Sequence, residues 1–239
     1  YAHIGISILQ FGRQDGMNEH GLAVSQTSAG IPVGDFAFAA KPAITGLQFW
    51  AVIRSVLENC KDVEEAIQWT KQMPIAYNIN LMVADPCGNA ALIETFNGEK
   101  AIKKIDRDSE EKFIHSTNHV HLPELKAYSP MSMYNSLHRY KLIERTLSES
   151  KAVSREDLMR LITTNYPEGL RCGFYDDFFG TLHSMVFDVT EKSVYICFGS
   201  PSEIKWHRFR VEDEITQQYY PVFFDRKQAP EGFYNMIKE

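Results

Sequence analysis

Asp15-Gly16-Met17-Asn18-Glu19-His20-Gly21-Leu22-Ala23-Val24-Ser25-Gln26-Thr27-Ser28 reads as a turn that runs into a strand. Gly and Asn tolerate positive φ, so 15–16 and 18–21 carry the turn. Side chains then alternate between the two faces of the strand. Leu22, Val24 and Gln26 point one way; Ala23, Ser25 and Thr27 point the other. The second face therefore carries small hydroxyls. Two readings fit it: a hairpin arm with a Ser/Thr row towards an edge, or a strand that lines a pocket with a few polar groups.

Outward from this stretch, residues 1–9 alternate Ile4, Ile6 and Ile8, which predicts a strand paired with 22–28 across the 12–21 turn region. Residues 29–42 form a loop holding Phe36 and Phe38, of the long kind that borders sites. Phe49, Val52, Ile53, Val56 and Leu57 fall at helical spacing and predict a helix over 45–60. Asp62 is placed as the N-cap of a second helix over 62–72, stopped by Pro74. Strands follow at 77–84, 90–96 and 100–105, with Asn97-Gly98 as a hairpin turn. A further strand over 112–117 ends at Asn118. Leu137, Tyr140, Leu142, Ile143 and Leu147 predict a helix over 131–148, and Ser154 with Asp157 a capping box opening a helix over 154–164. Strands at 181–188, 194–198 and 205–211 come last, before a tail with Tyr219, Tyr220, Phe223 and Phe224 expected on the surface. Strands and helices come in separate blocks. That predicts an α+β fold of antiparallel sheets with helix layers outside.

The 239 residues fit a single domain, and 44% hydrophobic content is ample for its core. The 25 basic and 31 acidic side chains leave a net charge of −6, which argues against a nucleic-acid surface. No apolar run is long enough to span a bilayer and no signal peptide is visible. Cys60, Cys87, Cys172 and Cys197 are scattered without a CxxC pair, the usage of reduced thiols in a cytoplasmic protein. His115, His119 and His121 cluster, with His183 and His207 far away, but the spacing matches no metal motif. Neither a metal nor a nucleotide cofactor is expected.

The Gly-Met-Asn-Glu-x-Gly-Leu phrase at 16–22 resembles one near the front of the linear-amide C–N hydrolases. These N-terminal nucleophile hydrolases include the conjugated bile acid (choloylglycine) hydrolases, penicillin V acylases, isopenicillin-N acyltransferase and N-acylethanolamine acid amidase. Two further matches follow in order. Ser116-Thr117-Asn118-His119 is similar to the phrase whose asparagine serves the oxyanion hole. Asn135-Ser136-Leu137-His138-Arg139-Tyr140 is similar to the helix start carrying an arginine near the catalytic centre. The resemblance implies an α-β-β-α sandwich, catalytic roles for Asn118 and Arg139, and a substrate-binding row of Ser25, Thr27 and Ser28. On residue types alone, Asn118 reads first as a strand-ending turn residue, and Arg139 equally as an exposed helix arginine.

This chain also departs from the family. There the nucleophile is a cysteine at residue one after processing, with an Arg and an Asp soon after it. Here the chain opens with Tyr1, and its four cysteines are internal. Arg13 and Asp15 offer such a pair in a different strand context. Ser28 stands where bile acid hydrolases carry a pocket asparagine. The resemblance therefore implies a domain lacking its nucleophile strands, with an exposed sheet edge that favours a homo-oligomer. Two functions of different class follow. One is an amidase or acyltransferase acting on a small acyl amide. The other is a non-catalytic small-molecule-binding protein that keeps the pocket.

Overall fold

Asn18 is fully buried, although asparagine is a turn residue by preference. Its Nδ2 donates to Leu57 O at 3.0 Å and Cys60 O at 2.7 Å, carbonyls left over at a helix end. Its Oδ1 accepts from the backbone N–H groups of His20 and Leu22 at 3.1 and 3.2 Å. These four bonds fix the helix layer, the turn and the following strand to one another. The computed structural model that shows them describes residues 1–7, 11–35, 37, 39–199, 205–222, 224 and 226–238. Ile8, Leu9, Phe36, Phe38 and Phe223 lie outside the described residues.

In chain order the elements are β1 His3–Ile6, β2 Asp15–Asn18, β3 Ala23–Ser28, α1 Phe49–Asn59, α2 Val63–Gln72, β4 Ile79–Ala84, β5 Ala90–Phe96, β6 Glu99–Ile105, α3 Pro123–Lys126, β7 Met131–Met133, α4 Tyr134–Glu149, α5 Arg155–Thr163, β8 Gly173–Phe174, β9 Phe179–Gly180, β10 His183–Asp188, β11 Ser193–Phe198, β12 Trp206–Phe209 and β13 Met236–Lys238. Strands β1 to β6 form one antiparallel sheet in chain order, and β10, β11 and β12 form a second. Leu22, Val24, Leu81, Val83 and Ile93 face α1 and α2, meeting Val52, Ile53, Val56, Val63 and Ile67. On the other side Met17 and Ala23 pack against Val194 and Ile196 of the second sheet. Helix α5 lies against β10. The result is mixed α+β with two antiparallel sheets in contact and helices outside, the fold class expected from the sequence.

Several boundaries differ from expectation, each for a physical reason. Residues 15–18 are a strand, not a turn, and His3–Ile6 pairs with them rather than with 22–28. Gly5 opposite Gly16 permits this, since a Cβ on Gly5 would lie 2.1 Å from Asp15 O. The turn is confined to the residues before Leu22, where Gly21 takes φ +85°. Residues 112–117 are irregular, because side chains occupy the backbone groups of Thr117 that a ladder would need. Helix α4 starts at Tyr134, because 131–133 pair with β13. The tail is thus only partly superficial: Tyr219 and Phe224 are exposed, while Phe233 is fully buried. Both expected caps form. Asp62 accepts from Glu65 N at 2.9 Å, and Ser154 with Asp157 makes a reciprocal capping box.

Candidate active site

Directly opposed residues of an antiparallel pair share a face. Thr27 opposes Asn80, and Asn80 opposes Glu94, so β3, β4 and β5 carry one polar row through the middle of the sheet. That row holds the irregular segment 117–122. Asn80 Nδ2 donates to Thr117 O and His119 O, both at 2.8 Å, and Thr27 Oγ1 donates to Thr117 O at 3.0 Å. Glu94, fully buried, accepts the backbone N–H groups of His121 at 2.7 Å and Leu122 at 2.9 Å. From the other side, Thr117 Oγ1 donates to Ser136 O at 3.0 Å, and His119 Nδ1 meets Ser136 Oγ at 2.8 Å. Asn118 is therefore held between the sheet and the first turn of α4 by its neighbours.

Arg139 follows one turn along the same helix. Its Nη2 donates to Asn118 Oδ1 at 3.0 Å and Asn135 Oδ1 at 2.8 Å, and its Nε to Asn135 O at 3.3 Å. Asn135 is fixed in turn by donating to Phe233 O at 2.9 Å. Guanidinium has no acceptor, so the oxygen of the Asn118 amide must be the end that faces it. The amide NH₂ is left as the donating end. Burial pushes the Arg139 guanidinium below its usual range, partly offset by nearby Cys172 and Tyr166. Among the described residues no carboxylate lies within 4 Å of it.

Two cavities meet at this pair. One, of about 490 Å³, is lined by Ser25, Thr27 and Arg139 together with Asp15 and His183. The other, of about 530 Å³, is lined by Asn118 and Ser28, with Ile31, Pro32, Phe96, Met131, Met133 and Phe179 supplying an apolar wall. Ser28 Oγ is 2.8 Å from Tyr77 Oη. The structure thus brings all five candidate residues to one region, but divides them: Ser25, Thr27 and Arg139 on one cavity, Asn118 and Ser28 on the next.

The remaining candidates stand elsewhere. Arg13 donates its backbone N–H to Trp50 O at 3.0 Å and lines neither cavity. None of the four cysteines lines them. Cys60 is buried at the end of α1, where burial pushes its thiol up to about 12. Burial also raises the buried Cys172 and Cys197, and Cys87 is exposed. His115 and His121 stack on Tyr140 with ring centroids 4.1 and 4.7 Å away, and among the described residues no three His, Cys, Asp or Glu group as metal ligands. Sequence reasoning missed Asn80, Glu94, Asn135 and His183. Asn80 and Glu94 do break the apolar runs of β4 and β5, the one signal that could have exposed them.

Fold and site together define the class: an α+β protein of the N-terminal nucleophile hydrolase type with a carboxamide–guanidinium pair between two cavities. The family model for acyl-coenzyme A:6-aminopenicillanic acid acyl-transferase matches residues 1–203, and the chain belongs to that family. Among solved structures, a mutant of the conjugated bile acid hydrolase from Clostridium perfringens is similar with TM-score 0.59 and 12% identity, over 95% of this chain and 84% of that one. A second variant of that hydrolase gives TM-score 0.59, 11% identity and coverage of 96% and 83%. Penicillin V acylase from Agrobacterium tumefaciens gives TM-score 0.49 at 20% identity, over 82% of this chain and 65% of that one. No curated protein matches the chain. Among the described residues, no helix is long and apolar enough to cross a membrane.

Proposed function

We propose that the chain acts on linear amide C–N bonds as an acylase, amidase or acyltransferase, with Asn118 and Arg139 as its oxyanion and anchoring groups. The observation that carries this is the Arg139–Asn118 hydrogen bond at 3.0 Å, set where the two cavities meet. A tetrahedral intermediate puts negative charge on the former carbonyl oxygen. A preorganised NH₂ with its own oxygen tied to a cation is suited to receive it. The acyl group lies in the apolar 530 Å³ cavity beside Ser28. Family membership supports acyl chemistry of this kind. A thiolate attacks the acyl carbonyl, the C–N bond breaks, and the amine leaves. Water or another amine then takes the acyl group from the thioester.

The thiol is an N-terminal cysteine whose α-amine is the base. None of the four cysteines present is assigned that role: each is internal and lacks a free α-amine, and Cys60, Cys172 and Cys197 are buried with raised thiol pKa. The test is amide hydrolysis and acyl transfer by the native protein, its N-terminus read by mass spectrometry. Asn118→Ala should lower kcat about a hundredfold or more while stability changes little. The isolated 1–239 chain should show no cysteine-dependent cleavage. Unchanged kcat in Asn118→Ala would remove the oxyanion assignment, and a native protein that neither hydrolyses amides nor transfers acyl groups would be a binding protein that shares the fold.

A further inference from the structure

The polar cavity holds a carboxylate that the proposed chemistry has not used. Asp15 on β2 and His183 on β10 come from different sheets and both line the 490 Å³ cavity. Asp15 Oδ1 accepts the Gln26 backbone N–H at 3.2 Å. The other oxygen, Oδ2, stands 3.9 Å from His183 Nε2. That gap is too long for a direct hydrogen bond. The two side chains are only 14% and 15% exposed, and among the described residues no Lys or Arg lies within 4 Å of Asp15. A shielded carboxylate without a permanent cation is costly to keep. On the same cavity wall Arg139 spends its hydrogen bonds on amide oxygens, so its positive charge repels a cation from its own end. The cavity is electrically polarised, and its volume suits a small molecule.

We propose that this cavity is the amine-side subsite, and that Asp15 and His183 together hold a primary ammonium group of the amine component. Asp15 Oδ2 accepts one N–H, and His183 Nε2 accepts another across the gap. The inference rests on the amide-bond reading above and gives it a division of labour: acyl group on the Asn118–Ser28 side, cationic amine on the Asp15–His183 side. The enzyme so built favours amines that carry a further ammonium group, away from the reacting nitrogen, over neutral alcohols of the same shape.

The test is an NMR and calorimetric titration of the chain with n-butylammonium chloride and, separately, with 1-butanol. Wild type should bind the ammonium. Asp15→Asn keeps an oxygen for the Gln26 N–H, and should weaken ammonium binding about tenfold or more while leaving 1-butanol unchanged. His183→Gln, on the other sheet, should weaken the ammonium several-fold and serves if the first variant folds poorly. Equal ammonium affinity in wild type and both variants, or no binding by wild type, overturns the subsite. Amide-bond activity without Asp15-dependent ammonium binding overturns the subsite alone. Asp15-dependent binding in a native protein that neither hydrolyses nor transfers acyl groups overturns the activity reading alone.

Discussion

Glu94 should make the folded protein lose stability as pH rises through neutrality. It is fully buried on β5, and burial pushes its carboxyl up to about 7 against the pull of the His121 and Leu122 N–H groups. Its ordinary value is 4.5. The folded state therefore binds this proton more tightly than the unfolded chain. Its stabilising contribution is fullest below about pH 4.5 and is lost as pH rises to about 7 and beyond. A gap of roughly 2.5 pKa units corresponds to about 3 kcal/mol over the whole window. Urea unfolding of wild type and Glu94→Gln at about pH 5 and about pH 8.5 isolates this, because other titrating groups cancel in the difference. The stability of Glu94→Gln relative to wild type should increase by about 2.5 kcal/mol between those conditions. A difference that does not move with pH refutes the reasoning: it would mean that the two N–H donors hold the carboxylate ionised in spite of burial.

Asn80→Ala strips the donor from Thr117 O and His119 O, and should cost about 2–3 kcal/mol while lowering acyl-transfer activity beyond what the loss of folded protein explains. Asn18→Ala leaves Leu57 O and Cys60 O without their side-chain donor, and should cost about 2–4 kcal/mol in denaturant titration with no effect on ligand binding in the variant that remains folded. In native protein at about pH 8, a thiol reagent should label Cys87 quickly and Cys60, Cys172 and Cys197 only on unfolding. Rapid labelling of Cys60, Cys172 or Cys197, located by peptide mass mapping, would show that a buried cysteine is accessible.

The sequence made the fold class legible because hydrophobic period is a local signal. Helices α1, α2 and α5 and the β4–β6 meander show it plainly. It failed where side chains, not neighbouring strands, satisfy the backbone. The alternation of 112–117 looks like a strand, yet Thr117 bonds to Thr27, Asn80 and His121 side chains instead. It failed again where a distant partner decides: 131–133 looks helical until the tail strand β13 claims it. Asp15 and Asn18 look like turn residues for their small polar side chains. In the fold Asp15 faces His183 at 3.9 Å and Asn18 bonds the end of α1, both far away along the chain.

The same contrast separates scaffold from chemistry within the motifs. In the Gly16–Leu22 phrase, Gly16 admits the β1 backbone, Met17 fills the space between sheets, Asn18 ties off α1, and Gly21 takes the positive φ. Every one of these contacts ends inside the protein. The Asn118 and Arg139 phrases differ, since their bonds run towards each other and their free groups face cavities. Arg139 has amide oxygens where a structural arginine would have a carboxylate. An ion pair would cancel the guanidinium's charge and let Asn118 turn. Amide oxygens leave the charge in place and, because guanidinium can only donate, force the carboxamide to present its NH₂. Lysine at 139 would supply the charge but not the planar group whose Nη2 holds the Asn118 and Asn135 side chains while its Nε holds the Asn135 carbonyl. In the proposed function the orientation of Asn118 is the property on which the chemistry depends, and it is fixed by two residues one helical turn apart.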